Sequence, residues 1–157
     1  MTEISFEGTE VPVEKTAAQI EDMLRKAEVE KVGKSFESGR IKAIYFQMDT
    51  PEGSLPFMLP VNVDAVYQIL CNKRKATRPW LVLADDVKDR IQKQAERTAW
   101  RIIHGWLKGQ LALVQTQMVT VTEVFLPYML VSKSETLYQR LQAGDFKALM
   151  PGRESDV

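Results

Sequence analysis

The apolar positions in the first part of the chain recur at helical spacing and then change to the spacing of a strand. Ile20, Met23, Leu24 and Ala27 lie three and four residues apart, which predicts a helix over about 13–28 with one buried face. The segment RIKAIYFQMD alternates at a period of two instead, which is typical of an extended strand. The pattern therefore predicts a helix followed by a sheet.

Two turn signals divide the region after this helix into three strands. The first turn lies at Ser38-Gly39 and the second in TPEG at 50–53. The alternating middle segment is apolar on one side and half polar on the other, which indicates a central strand covered on much of both faces. Pro56 and Pro60 confine the third strand to an edge or end it. The pattern predicts a three-stranded antiparallel meander.

The remainder of the chain predicts helices only. We expect a helix over about 63–72, capped by Asn62, and a long amphipathic helix over roughly 85–117. Between the two helices, Pro79 forbids helical backbone at the residue that precedes it.

Two short helices follow the long one. Thr120 and Glu123 have the spacing of a capping box, and Ser134 begins a last helix that Gly144 stops. The predicted fold is α+β: an N-terminal helix, a three-stranded antiparallel meander, then a helical half with one long and two short helices. We assign residues 1–12 to an extended arm, 13–150 to a single domain and 151–157 to a flexible tail.

Composition excludes several classes of function. The 157 residues include 21 basic and 21 acidic side chains, so any attraction to nucleic acid has to come from a local patch. The sequence contains one cysteine, Cys71, and one histidine, His104. These are too few for a zinc site of the usual kind or an intrachain disulfide, and a single thiol fits a reducing cytoplasm. We find no signal peptide and no apolar run that would span a membrane. The sequence predicts no metal and no cofactor.

One face of the long helix is apolar. A helical projection places nine residues on it: Ile91, Ala95, Thr98, Ala99, Ile102, Ile103, Trp106, Gly109 and Leu113. Gly105 and Gly109 each cost helix stability on the order of 1 kcal/mol, so we expect them to admit the close approach of another backbone.

The opposite face combines cations with an aromatic residue. We name this face the basic-aromatic stripe, and its members are Arg90, Lys93, Arg97, Trp100, Arg101, His104 and Lys108. Asp86 and Asp89 stand four residues before the first two cations, but no acid has that spacing from Arg97 onward. The stripe predicts a surface that follows phosphates, with Trp100, or Trp80 elsewhere in the chain, stacking on a base.

A second group of cations joins the predicted site. Lys73, Arg74, Lys75 and Arg78 stand near the end of the preceding helix, where positive charge is favoured. The opposing interpretation is that acids elsewhere, such as Asp145 or those in EVEK at 28–31, neutralise the stripe and that Trp100 is covered.

No combination of residues predicts catalysis. The sequence contains no nucleophile elbow, no glycine-rich phosphate loop and no HExxH motif. His104 has no second histidine to work with, and Arg101 and Lys108 would lower its pKa. We therefore predict a protein that is not an enzyme.

Three segments resemble a family of small proteins encoded in phages, prophages and other mobile elements. They are VEKTAAQIEDML at 13–24, LPFMLPV at 55–61, and an arginine-aromatic helix followed by TVTEVFLPYML at 120–130. The family has no assigned activity, so the resemblance implies only a context: an accessory protein in a prokaryotic cytoplasm.

These observations leave two functions open. The first is a non-enzymatic nucleic-acid-binding accessory protein of a phage or mobile element, acting on single-stranded or duplex nucleic acid. The alternative is a protein-interaction module, a subunit or inhibitor that self-associates as a homo-oligomer or docks on an acidic partner. Seven methionines and the segment EVFLPYML favour the alternative.

Overall fold

A computed structural model describes residues 3–80 and 82–152, except for the side chain of Asp145. The fold is α+β, as predicted: a helix, a three-stranded antiparallel sheet, then a long helix and short helices. The elements are α1 Val13–Lys26, β1 Lys31–Glu37, β2 Arg40–Thr50, β3 Gly53–Met58, α2 Val63–Thr77, α3 Asp85–Gln115, α4 Val121–Phe125, α5 Leu137–Arg140 and α6 Phe146–Leu149.

The sheet has the order β1-β2-β3, so β2 is the central strand. Ser38 and Gly39 both adopt positive φ angles, 51° and 75°, in the two-residue turn that joins β1 to β2. Phe46 lies opposite Phe57 on β3, and their rings stack with centroids 5.3 Å apart. The meander and its central strand are therefore confirmed.

The main core lies between the sheet and the helices α1 and α3. Phe125 of α4 closes it, with its ring edge-on to Phe46 at 5.4 Å. The buried members are Ala17, Ile20, Leu24, Ile44, Phe46, Met48, Phe57, Leu59, Trp100, Ile103, Leu107, Leu111 and Phe125. Burial of this many large apolar side chains supplies most of the driving force for the fold.

Helix α2 packs on the N-terminal half of α3 through two smaller buried clusters. Val66 contacts Ala95 and Ala99 in the first, and Cys71 joins Leu83 and Ile91 in the second. Asn62 caps α2 by accepting a hydrogen bond from the Ala65 amide, as predicted. The single thiol is thus part of the core and not a surface group.

The buried side of α3 changes direction along its 31 residues. An unbroken apolar row at four-residue spacing is buried throughout: Ile91, Ala95, Ala99, Ile103, Leu107 and Leu111. Such a row advances by about 40° at each step because four residues exceed one helical turn. The prediction of a single fixed apolar face is therefore wrong for the C-terminal half, where Gly109 and Leu113 are exposed and Leu107 is buried.

The N-terminal arm is docked on α3, and the prediction that it is simply extended is wrong. Phe6 has a φ angle of 61° within a turn at residues 5–8. Thr98 Oγ1 lies 3.2 Å from the carbonyl oxygen of Phe6 and 3.3 Å from that of Glu7, and donates to them. Gln94 Nε2 donates to the carbonyls of Glu7 and Thr9. Polar side chains of α3 thus satisfy the backbone of the arm.

The two glycines of α3 do not admit another backbone. A Cβ atom at Gly105 would meet only the ring of Phe6, at 3.5 Å, and one at Gly109 would meet nothing within 4 Å. The predicted reason for their presence is therefore wrong.

The C-terminal region differs from the prediction in its helix ends. Thr136, not Ser134, caps α5 in a capping box with Gln139. Gly144 has a φ angle of 144° and produces a kink, after which a further short helix, α6, begins at Phe146, so the chain does not stop being helical at Gly144 as expected. Most of the predicted tail, 153–157, lies outside the described residues.

We expect Thr98→Val to lower the free energy of unfolding by about 1–2 kcal/mol, because it removes a buried hydroxyl bonded to the arm. Urea denaturation measures this change. Thr77→Val is the matched control, because its hydroxyl is exposed and bonds only to its own helix; we expect a change within about 0.5 kcal/mol. Equal effects of the two substitutions would contradict the docked arm.

Candidate nucleic-acid interface

Cations are concentrated in the last turns of α2. The helix continues to Thr77, beyond the predicted end, so Lys73, Arg74 and Lys75 lie on it and do not follow it. Arg78 is not helical, with φ −138° and ψ 78°, as the following proline requires. Positive charge at this end of a helix interacts favourably with the helix dipole.

Three of these four cations are exposed. No acidic side chain described in residues 3–80 and 82–152 forms an ion pair with Arg74, Lys75 or Arg78; the side chain of Asp145 is not among those described. Lys73 is half-buried, and its Nζ lies 2.6 Å from Glu7 Oε2 on the arm. One cation of the group therefore holds the arm, and the others face solvent.

A groove of about 670 Å³ lies between the C-terminal half of α2 and the start of α3; we name it the α2–α3 groove. Leu70 and Ile91 give it an apolar floor, and Gln94 lies at its arm side. Its polar and charged lining consists of Glu7, Lys73, Arg74, Thr77, Arg78, Arg90 and Gln94. A groove with cationic walls and an apolar floor suits an anionic chain that also carries flat apolar groups.

Trp80 follows the last groove-lining residue of α2 closely in the chain, and 80% of its surface is exposed. It is two residues beyond Arg78, after Pro79, and Val82 is similarly exposed at 89%. A large aromatic ring in solvent, within six residues of three exposed cations along the chain, is a combination that suits stacking on a base.

Trp100 does not belong to any exposed surface, so its placement on the basic-aromatic stripe is wrong. Its side chain is fully buried among Ile20 of α1 and Ile44 of β2, and its indole Nε1 has no hydrogen-bond partner in the described part of the chain. The cause is the advance of the buried row around α3, which turns position 100 inward.

The remaining cations of the stripe are largely used within the fold. Lys93 Nζ lies 3.1 Å from Asp89, and Arg90 Nη2 lies 3.4 Å from Asp86, as their four-residue spacing predicts. Arg97 donates to the carbonyl of Thr9 on the arm and to Gln94.

Arg101 is held by α1. Its Nη1 donates to Gln19 Oε1 at 2.6 Å, and the side chain is half-buried. Glu30, one of the acids expected to neutralise the stripe, accepts a hydrogen bond from Ser54 instead. The side chain of Asp145, another expected acid, is not among those that the structure describes. Backbone carbonyls and amides, not acids, therefore engage Arg97 and Arg101.

His104 and Lys108 line a different groove, between α1 and α3. The other lining residues are Lys15, Ala18, Gln19, Asp22 and Met23. Burial lowers the pKa of His104 below its ordinary value, and the nearby positive charges of Arg101 and Lys108 lower it further. The predicted site residues thus do not form one surface: three line the α2–α3 groove, two line this one, and Lys75, Lys93, Arg97, Trp100 and Arg101 line neither.

No other candidate chemistry emerges from the described residues. Among residues 3–80 and 82–152, with the Asp145 side chain excepted, no three histidine, cysteine or acidic side chains are grouped to hold a metal ion. Within the same ranges, none of the helices combines the length and the apolar composition that a membrane span requires.

We expect an NMR titration to give His104 a pKa below about 6.5. Because the fold disfavours the charged form, the free energy of unfolding should decrease as the pH falls below about 6.5. His104→Gln should flatten this part of the dependence. His104 is the only histidine, so its signal needs no assignment. A pKa at or above the ordinary value would contradict the described surroundings.

Comparisons with protein-family models, with curated proteins and with solved structures found no match to this chain.

Proposed function

We propose that the protein is a non-enzymatic nucleic-acid-binding protein whose binding surface is the α2–α3 groove with Trp80. The observation that supports this most strongly is the presence of three exposed cations, Arg74, Lys75 and Arg78, within six residues of an indole exposed to 80%. Neither feature contributes to the described core, and the helix dipole, which favours the cations, gives no reason for an exposed indole.

The local charge favours an anionic ligand although the whole chain is neutral. Lys73 is paired with Glu7, and Arg90 with Asp86, which leaves Arg74 and Arg78 as the groove's unpaired cations within the described residues, with Lys75 exposed between them in the chain. Arginine forms bidentate contacts with phosphate and also stacks on planar groups. Several exposed cations, two of them arginines, suit a phosphodiester backbone better than a single free anion.

The aromatic residue favours a single strand over a duplex. Trp80 is exposed in the turn after α2 and does not belong to a helix that could enter a groove of a duplex. Stacking requires an unpaired base, and it tolerates any base because each has a π-face. We therefore propose single-stranded DNA or RNA as the preferred substrate class.

The cellular context belongs to the proposal as well. The segments at 13–24, 55–61 and 120–130 support an accessory protein of a phage or other mobile element in a prokaryotic cytoplasm. Small proteins of such elements often act alongside their nucleic acid, which agrees with the proposed surface. This context depends on the sequence resemblance alone.

We expect fluorescence anisotropy to detect binding to a labelled single strand that weakens as salt rises. Three phosphate contacts correspond to a slope of about −2 in log K against log salt concentration. Arg74→Glu with Arg78→Glu should weaken binding by about 100-fold at ~50 mM salt, where counterion release is most favourable. Lys133→Glu with Lys147→Glu changes the net charge equally on exposed residues of other segments and should leave affinity within about threefold.

Two results would overturn the proposal. The first is an absence of binding to single-stranded DNA, duplex DNA and RNA at low salt, which would indicate an acidic protein partner instead. The second is an equal loss of affinity in both double variants, since this would show a non-specific dependence on net charge.

We expect Trp80→Ala to weaken binding to a single strand by about 10-fold or more and to leave duplex binding nearly unchanged, because it removes one stacking platform. Trp80→Phe should retain part of the affinity. Val82→Ala, at a comparably exposed apolar position, is the control and should have little effect. Equal losses for single strand and duplex would contradict stacking.

A further inference from the structure

The outer edge of β1 is free in the described structure. β1 is one edge of the sheet, whereas the opposite edge is covered where the Leu130 amide donates to the Pro56 carbonyl at 2.9 Å. Among residues 3–80 and 82–152, none supplies a backbone hydrogen bond to Lys31–Glu37 from outside the sheet. An unpaired edge of seven residues is a template for another strand.

The strand register determines which backbone groups point outward. Glu37 pairs with Arg40 next to the turn, and Lys31 pairs with Gln47 at the other end of β1. Because backbone groups alternate along an antiparallel strand, those of Val32, Lys34 and Phe36 point away from β2. These three residues therefore present the unpaired N–H and C=O groups.

The sequence of this edge, KVGKSFE, is complementary to itself when reversed. We infer that β1 pairs antiparallel with β1 of a second copy of this chain, in a register centred on Lys34. In this register, Lys31 faces Glu37 of the partner subunit, and Val32 faces Phe36 of the partner subunit. Gly33 and Ser35 face each other as small residues. Opposite charges thus meet at the ends of the strand and apolar side chains at the next positions, and only the central lysines are mismatched.

The burial of these side chains fits such an interface. Phe36 is 60% exposed and Val32 is 37% exposed, so each has apolar surface to bury against the other. Both lie on the helix side of the sheet, because Val32 pairs with Phe46 and the alternation continues along β1.

The central lysine does not oppose the pairing strongly. A lysine on an edge strand usually prevents association between sheets. Here Lys34 forms an ion pair with Glu21 of α1 in its own chain, which reduces the repulsion between the two copies at the symmetry axis. Glu37 pairs with Lys42 only at an exposed position, so little is lost when it meets Lys31 of the partner subunit.

Sedimentation velocity of the full chain without nucleic acid tests this dimer independently of the proposed function. We expect a monomer–dimer equilibrium over about 1–100 µM. Phe36→Lys should shift it to monomer, whereas Met118→Lys, an equivalent change at an exposed residue outside the sheet, should leave it unchanged. A wild-type monomer at every concentration, or a dimer that Phe36→Lys does not affect, would overturn the inference.

Charge reversal provides a second test that does not depend on a disruptive substitution. Lys31→Glu or Glu37→Lys alone places like charges opposite each other at two symmetric positions and should weaken the dimer by about tenfold. The double variant Lys31→Glu with Glu37→Lys restores opposite charges and should recover the wild-type association. Failure of the double variant to recover, with circular dichroism unchanged, would overturn the register.

Discussion

Burial of the apolar row along α3 is the interaction on which the rest of the structure depends. The row joins the α2 clusters at Ile91 and Ala95 to the main core at Leu107 and Leu111, so one helix organises both packing regions. Since successive members advance by about 40°, the buried side passes around roughly half of the helix over its length. The sheet and α1 pack against one part, and α2 packs against the other.

The same advance decides where charge is left exposed. Position 100 turns inward, which removes Trp100 from the surface, while Arg97 and Arg101 come to lie beside the arm and α1. Their charges are then engaged by carbonyl and amide oxygens within the fold. Arg74, Lys75 and Arg78 at the end of α2 remain exposed, and so does Trp80, two residues after Arg78.

Periodicity in the sequence was sufficient to predict the helices and strands, but not to predict which side of the longest helix is buried. The strand boundaries follow from turn residues and alternation, which are local signals, and Asn62 and Thr120 act as the expected helix caps. Trp100 was misplaced because a projection onto a single face ignores the advance of a four-residue row. That row, from Ile91 to Leu111, is visible in the sequence and is the signal that would have placed the indole correctly.

The engagement of Arg97 and Arg101 depends on contacts that sequence patterns do not contain. Thr9 and Gln19 are more than eighty residues away along the chain, and neither is an acid. The spacing of opposite charges in the sequence therefore does not predict these two contacts. The division of the predicted cations between two grooves has the same origin, because it requires the positions of α1 and α2 around α3.

The central claim is that nucleic acid binds at the α2–α3 groove and not along the basic-aromatic stripe. An NMR titration with a short unlabelled single strand tests it most directly, with the indole N–H of Trp80 and the side-chain N–H groups of Arg74 and Arg78 as reporters. We predict that these signals shift together, while His104 in the α1–α3 groove stays unchanged. Shifts confined to His104 and its neighbours, or no shifts at all, would contradict the claim.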